Sequence, residues 1–139
     1  MSALSDPIRL AFLGCGFITR VHSRNLRMLG GDVLCAYASR DASRSADFCR
    51  RYRGFASFGS YDAALADPAV DAVVIAVPPR FHLELTLAAL DAGKHVLVEK
   101  PAYLTMADYE RVREVRDRTG RVVMVAENDH YKPLAVCLR

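Results

Sequence analysis

The 139-residue chain carries 19 basic and 16 acidic residues, a net charge of +3, and is 52% hydrophobic and 25% charged. This balance is typical of a folded protein and excludes a disordered chain. The small, scattered excess of positive charge gives no reason to expect a nucleic-acid partner, and the longest apolar run, residues 72–79, is too short to span a bilayer.

The N-terminal residues and the cysteines indicate the cellular location that we expect for the protein. The first apolar stretch, residues 8–13, is short and runs directly into glycine, so we expect no secretory signal. Four cysteines form no CxxC pair and no metal-ligand spacing: Cys15, Cys35, Cys49 and Cys137. We therefore expect free thiols, no bound metal and a cytoplasmic location.

Short β-rich runs alternate with longer amphipathic segments along the chain. In chain order, the pattern predicts strand 8–13, helix 17–29, strand 33–38, helix 42–52, strand 55–57, helix 61–65, strand 72–77, helix 81–92, strand 95–98, helix 106–119 and strand 122–125. Asp41 and Thr105 are the expected N-caps, and Gly30, Gly93 and Gly120 follow the helices that they end. The last residues are expected to begin one more helix.

Two of the predicted helices carry an apolar stripe that we expect to be buried. In the first helix the stripe consists of Ile18, Val21, Met28 and Leu29. In the last it consists of Met106, Tyr109, Val112 and Val115.

Strands that alternate with helices imply parallel βαβ units. The strand at 72–77 is apolar throughout, as expected for a parallel strand covered on both faces. We therefore predict an α/β fold with a doubly wound parallel sheet of the Rossmann type, in strand order 3-2-1-4-5-6. Ligands bind to such sheets beyond the carboxyl ends of the strands, where the first and fourth strands meet. The residues that follow each strand are therefore the candidate site residues.

An incomplete dinucleotide-binding motif follows the first strand. The motif is GxGxxG or GxGxxA between a strand and a helix, and this chain has Gly14, Cys15, Gly16, Phe17, Ile18 and Thr19. The two glycines allow a tight turn and a close approach to a pyrophosphate, which free N–H groups at the helix N-terminus bind. The third small residue serves helix–strand packing, so Thr19 weakens the match without abolishing it. A plain strand-to-helix turn is the alternative.

Ser39 and Arg40 follow the second strand, near the expected position of a residue that contacts the cofactor ribose. An acidic residue there favours NAD, whereas arginine offers a fork of donors that suits the 2′-phosphate of NADP. Asp41 is available to the ribose only if it does not cap the next helix. We predict NADP as the cofactor, with NAD as the alternative, and a solvated turn as the alternative role of Arg40.

The fourth and fifth strands are also followed by candidate residues. Val77 and Pro78 lie where the nicotinamide end of a cofactor would pass, and His82 begins the next helix in either a ligand-contacting or a structural role. Glu99 and Lys100 follow the fifth strand, where the lysine could donate a hydrogen bond to a substrate oxygen and exchange a proton with it. A weak surface ion pair between Glu99 and Lys100 is the alternative.

These motifs together resemble the N-terminal domain of the Gfo/Idh/MocA family, which includes glucose–fructose oxidoreductase and inositol dehydrogenase. The resemblance rests on residues 8–22, 71–82, 92–101 and 126–133, and the Glu-Lys-Pro element at 99–101 is its most specific part. It implies hydride transfer between NAD(P) and a sugar, a polyol or a related carbonyl or hydroxyl compound. It also implies a second, substrate-binding domain.

The resemblance assigns roles to individual residues. Lys100 corresponds to the catalytic lysine beside the cofactor, and Asn128, which we also expect to contact the cofactor, belongs to the segment that leads into the second domain. His22 and His82 match histidines often found in the family, whereas Pro79 replaces its usual asparagine.

The length of the chain accommodates one cofactor-binding domain, residues 1–127, and the start of a connection, residues 128–139, but no substrate domain. We therefore expect cofactor binding without turnover by this chain alone. We also expect a homo-oligomer, because Leu134, Val136 and Leu138 would otherwise be left bare. A non-catalytic nucleotide-binding or interaction module is the alternative function.

Overall fold

The computed structural model describes residues 6–29 and 31–128. In chain order its elements are β1 (Ile8–Leu13), α1 (Phe17–Leu26), β2 (Val33–Ala38), α2 (Ala42–Tyr52), β3 (Ala56–Phe58), α3 (Tyr61–Ala66), β4 (Ala72–Ile75), α4 (His82–Asp91), β5 (His95–Val98), α5 (Met106–Thr119) and β6 (Val123–Val125). Short 3-10 turns at Arg27–Leu29 and Pro79–Phe81 follow α1 and precede α4. The predicted final helix and the predictions for Gly30 and Cys137 fall outside the described residues.

All six strands form one parallel sheet in the order β3-β2-β1-β4-β5-β6, which confirms the predicted Rossmann topology. β1 pairs with both β2 and β4, so the chain reverses its direction of winding beside β1. Leu13 at the end of β1 lies opposite Ile75 at the end of β4, which lies opposite Val98 at the end of β5. Three strand ends therefore share one edge of the sheet.

Helices cover the central strands on both faces. On one face, α3, α4 and α5 pack on β-strand side chains such as Leu13 and Ile75. On the other face, the side chains of α1 and α2 surround Phe12, Tyr37 and Val74. Each large apolar side chain buried in this way contributes about 1.5–3 kcal/mol. Burial on both faces explains why β4 has no polar residue.

The buried face of α1 differs from the predicted stripe. Met28 and Leu29 are 84% and 44% exposed, whereas Thr19 and Ser23 are the buried residues of the helix. The hydroxyl of Ser23 donates to the carbonyl of Thr19 at 2.7 Å and accepts from the hydroxyl of Tyr37 at 2.9 Å. Small hydroxyl side chains bury well here because their polar atoms are paired inside the helix–sheet contact.

Three other details depart from the predictions. β4 ends at Ile75 instead of residue 77, because its neighbours β1 and β5 end at the same level. β3 begins one residue later than predicted. In α5, Val112 is buried, but Met106 and Tyr109 are 74% and 42% exposed because this helix lies at the β6 edge of the sheet.

Among the described residues, no helix has the length and apolar character that a membrane crossing requires.

Candidate active site

The turn after β1 is pressed against the end of β4. Gly14 has a φ of +109°, and a Cβ on this residue would lie 2.5 Å from the carbonyl oxygen of Ala76. Its N–H donates to the carbonyl of Ala38 on β2 at 3.0 Å. Both the backbone angle and the close approach exclude a side chain, so only glycine fits this turn.

The start of α1 presents backbone donors for which no acceptor is seen among residues 6–29 and 31–128. Gly16 is the N-cap, no side chain caps the helix, and its first turn contains no acidic residue. A Cβ on Gly16 would meet nothing within 4 Å, so the space beside the helix start is open. The side chain of Phe17 is exposed and that of Ile18 is half-buried. An uncapped helix N-terminus beside open space attracts an anion through its N–H groups and its dipole.

Two side chains of this turn face inward. Thr19 is fully buried and donates its hydroxyl to the carbonyl of Gly14 at 2.7 Å, so it stabilises the turn from within. Cys15 is also buried and donates its thiol to the carbonyl of Ala38 at 3.6 Å. Burial raises the pKa of Cys15 to about 11 and keeps the thiol protonated. Only the backbone of Cys15 is therefore available to a ligand.

Asp41 caps α2, as predicted. Its carboxylate accepts hydrogen bonds from the N–H groups of Ser43 and Arg44 at 3.0 and 3.3 Å, and from the Ser43 hydroxyl at 2.7 Å. These bonds hold the pKa of Asp41 below its usual range, and the bond from the Ser43 hydroxyl has the largest effect. Ser39 is buried, and its hydroxyl oxygen accepts from the Asp41 N–H at 3.1 Å. Arg40 and Asp41 are both exposed at this strand end, but the Asp41 carboxylate is engaged in the cap of α2.

A cavity of about 220 Å³ lies beside Arg40. Its walls come from the turns after β2 and β4, from the first residue of α3 and from the first half of α4: Arg40, Tyr61, Val77, Pro78, Phe81, Glu84 and Leu85. The guanidinium carbons of Arg40 and Arg80 lie 5.8 and 4.6 Å from the Phe81 ring centroid. Such a slot, apolar with cations at its rim, suits a flat aromatic ring that carries an anionic group. Tyr61 and Phe81 were not predicted from the sequence, although the Pro-Pro-Arg-Phe run after β4 was a signal for Phe81.

The ring of His82 is buried and both its nitrogens face backbone carbonyls. Nε2 lies 2.7 Å from the carbonyl oxygen of Val77, and Nδ1 lies 3.0 Å from those of Pro101 and Ala102. The side chain thus joins the turn after β4 to the turn after β5 and leaves no nitrogen for a ligand. This geometry corrects the assignment of His82 as a cofactor contact and favours its structural role.

Glu99 and Lys100 do not form the surface ion pair that was the alternative interpretation. The Glu99 side chain is buried and pairs with His22 of α1, while its Oε2 accepts from the Lys100 N–H at 3.3 Å. The Lys100 side chain is exposed and makes no ion pair with any described residue. Lys100 therefore presents an unpaired ammonium group at the carboxyl edge of β5, next to the switch point.

These groups follow neighbouring strands at one edge of the sheet. The strand order places Arg40 after β2, Gly16 after β1 and Lys100 after β5, and the cavity at Arg40 reaches from the end of β2 to the residues after β4. Asn128 is exposed and follows β6, the outer strand of the sheet, so β4 and β5 lie between it and the end of β1. No group of three potential metal ligands occurs within residues 6–29 and 31–128.

Known proteins are similar to this chain in sequence and in fold. An uncharacterized oxidoreductase of Rhizobium meliloti is 39% identical over 87% of this chain and 36% of its own length. A 4-carboxy-2-hydroxymuconate-6-semialdehyde dehydrogenase of Sphingobium is 33% identical over 91% of this chain and 40% of its length. The myo-inositol 2-dehydrogenase of Thermotoga maritima is 27% identical over 89% of this chain and 37% of its own length. The chain therefore spans between 36 and 40% of the length of these relatives.

The solved structures similar to this chain include complexes with nucleotides. The 3-ketoreductase KijD10 of Actinomadura kijaniata, in complex with NADP and TDP-benzene, superimposes with a TM-score of 0.88 at 30% identity, over 96% of this chain and 41% of that one. Levoglucosan dehydrogenase in complex with NADH superimposes with a TM-score of 0.80 at 26% identity, over 90% of this chain and 36% of that one. The model of the Gfo/Idh/MocA oxidoreductases with an NAD-binding Rossmann fold matches residues 8–127, and the chain belongs to this family.

Proposed function

We propose that this chain is the cofactor-binding part of an oxidoreductase that transfers hydride to or from a sugar, a polyol or a related carbonyl or hydroxyl compound. The observation that carries the proposal is the placement of an uncapped helix N-terminus and an unpaired lysine on one edge of the sheet. The relatives support the reaction class, since they include a dehydrogenase of myo-inositol. Residues 1–127 form the cofactor-binding domain in this proposal, and residues 128–139 begin the connection to the substrate domain.

Each part of a dinucleotide has a corresponding site. The N–H groups at Gly16, Phe17 and Ile18 bind the pyrophosphate, and the backbone of Cys15 lines the turn. Arg40 and the cavity that Val77 and Pro78 line with it receive the adenosine end, so this proposal moves Val77 and Pro78 from the nicotinamide end expected from the sequence to the adenosine end. When bound, the nicotinamide ring supplies or accepts the hydride.

Lys100 carries the acid–base chemistry on the protein side. Its ammonium group donates a hydrogen bond from Nζ to the substrate oxygen and so stabilises the negative charge that develops there during carbonyl reduction. The same nitrogen supplies the proton that completes the hydroxyl group, and takes it back in the reverse direction. Groups from the substrate domain enclose the substrate and exclude water. The chain alone binds the cofactor and does not turn over substrate.

The proposed cofactor is NADP in preference to NAD. Asp41 caps α2 and so leaves no acidic group free at the end of β2, while Arg40 offers a guanidinium group next to the adenosine cavity. NADP in KijD10 and NADH in levoglucosan dehydrogenase show that relatives of this fold use either nucleotide. The preference of this chain therefore depends on Arg40.

The test is a titration of the 139-residue chain with NADPH and with NADH, followed by nucleotide fluorescence. A charge-assisted hydrogen bond is worth about 1.5–3 kcal/mol, so Arg40→Ala should weaken NADPH binding by roughly 10- to 100-fold and NADH binding much less. Arg24→Ala, on the exposed side of α1, is the matched control and should change neither. Tighter binding of NADH by the unmodified chain would contradict the NADP preference, and binding of neither nucleotide would contradict the cofactor role.

Homo-oligomerisation and a cytoplasmic location remain parts of the proposal. Exposed apolar side chains at Leu104, Met106 and Met124 support self-association near the β6 edge. Light scattering coupled to gel filtration should give a mass above that of a single chain.

A further inference from the structure

A buried pair joins the first helix to the turn that carries Lys100. His22 lies in the second turn of α1, and Glu99 follows β5, 77 residues later in the chain. Their side chains are only 28% and 11% exposed. A carboxylate withdrawn from water in this way needs a partner, because an unpaired buried charge is strongly destabilising. His22 therefore determines where the Glu99 carboxylate lies.

Glu99 transmits this position to the backbone of Lys100. Its second oxygen, Oε2, accepts from the Lys100 N–H at 3.3 Å, while its own N–H donates to the carbonyl of Ile75 at 3.0 Å. On the other side of Lys100, the carbonyls of Pro101 and Ala102 lie against the ring of His82. The main chain is thus held on both sides of Lys100, although the lysine side chain itself is free.

The orientation of the His22 ring has a separate origin. The ring stacks on Phe12 of β1 with centroids 6.2 Å apart and an angle of 26° between the planes. A phenylalanine at position 22 would keep an aromatic ring beside Phe12 and remove the nitrogen that faces Glu99, together with the second ring nitrogen. The packing role and the hydrogen-bonding role of His22 can therefore be separated by mutation.

We propose that His22 is a positioning residue: through Glu99 it holds the Lys100 turn, and thereby the part of the site that meets the nicotinamide end of the cofactor. This inference rests on the proposed function. It makes no use of a direct contact between His22 and a ligand. It predicts that loss of the His22 nitrogen affects the nicotinamide end and spares the adenosine end.

The experiment compares His22→Phe with His22→Gln, which keeps an N–H donor on a side chain of similar length. His95→Phe is the control for the loss of a half-buried histidine, since His95 lies at the opposite end of β5, where its Nδ1 accepts from the Val122 N–H at 3.0 Å. The first readout is the Lys100 backbone amide signal in NMR spectra of the ¹⁵N-labelled chain. The second is the affinity for NADPH against that for adenosine 2′,5′-bisphosphate, which lacks the nicotinamide end.

His22→Phe should displace the Lys100 amide signal and weaken NADPH binding by about fivefold, the equivalent of one hydrogen bond of about 1 kcal/mol. The affinity for adenosine 2′,5′-bisphosphate should stay within twofold. His22→Gln should restore most of the NADPH affinity, and His95→Phe should leave both readouts unchanged.

Three results would overturn the inference: an unchanged Lys100 signal in His22→Phe, equal losses of affinity for both nucleotides, or no recovery in His22→Gln. Equal losses would show that His22 acts only on the general stability of the fold. Failure of the proposed function has a different signature, because the unmodified chain would then bind neither nucleotide. In that case the Lys100 signal still decides whether His22 holds the turn.

Discussion

The two glycines of the turn after β1 should respond to alanine in opposite ways. At Gly14, a Cβ would lie 2.5 Å from the carbonyl oxygen of Ala76 on a backbone with a φ of +109°. At Gly16, the backbone is extended with a φ of −109°, and a Cβ would meet nothing within 4 Å. Gly14→Ala therefore strains the protein itself, whereas Gly16→Ala only occupies the space that we assign to the pyrophosphate.

The magnitudes follow from these geometries. For Gly14→Ala, the strained backbone costs about 1–3 kcal/mol, and the forced displacement of packed backbone costs about 1–3 kcal/mol more. We expect a total loss of about 4 kcal/mol, a large part of the 5–15 kcal/mol or so that stabilises a typical domain. For Gly16→Ala, a poorer N-cap and a less flexible unfolded chain nearly cancel, so the stability should change by less than about 1 kcal/mol.

Urea unfolding followed by circular dichroism measures both changes. With a slope of about 2 kcal/mol per molar, the Gly14→Ala midpoint should fall by about 2 M, and that of Gly16→Ala by less than about 0.5 M. Gly16→Ala should still weaken NADPH binding by about tenfold or more, since the close approach of the phosphates is lost. The reasoning fails if Gly14→Ala is neutral, or if Gly16→Ala retains full NADPH affinity.

Three further predictions concern single groups. The Arg9 side chain donates to the Asp71 carboxylate at 3.1 and 3.2 Å and lowers the pKa of that carboxyl. The pair therefore stabilises the fold above a pH of about 4, and this contribution is lost as the pH falls through the lowered pKa of Asp71. Urea midpoints between pH 6 and 2.5 should accordingly fall less steeply in Asp71→Asn than in the unmodified chain, and parallel curves would contradict the pairing. Cys15, whose pKa is raised to about 11 by burial, should resist iodoacetamide at pH 8 until urea unfolds the chain, as read by mass spectrometry of its peptide. Tyr37→Phe removes a buried hydroxyl that donates to Ser23, and should lower the free energy of unfolding by about 1 kcal/mol; an unchanged urea midpoint would show that this bond adds nothing.

The elements were predictable where one local signal dominated. β4 is an apolar run because helices cover it on both faces, and α2 begins directly after Asp41 because the Asp41 carboxylate caps it. The prediction that Met28 and Leu29 belong to the buried face of α1 was wrong. Hydropathy favours Met28 and Leu29 as buried residues, but α1 ends at Leu26, and the helix buries the hydroxyl residues Thr19 and Ser23 instead. Periodicity does not record which polar side chains of a helix find hydrogen-bond partners in the interior.

The sites were predictable in kind but not in their contacts. The residues at the strand ends could be identified because parallel strands bring their carboxyl ends to one edge. Their partners could not, since a neighbouring Glu99 and Lys100 suggest an ion pair with each other. Burial instead turns the Glu99 carboxylate toward His22, 77 residues away, and leaves Lys100 free.

The amino-acid sequence alone determined the strand order, the glycine turn and the family, because those depend on periodicity and on residue types at short spacing. Only the tertiary structure decided which side chains face a ligand. It turned His82 and Cys15 inward, and it left Arg40 and Lys100 at the open edge. The physical reason is that the burial and pairing of a polar group depend on elements that are distant in the chain, and these meet only when the sheet is assembled.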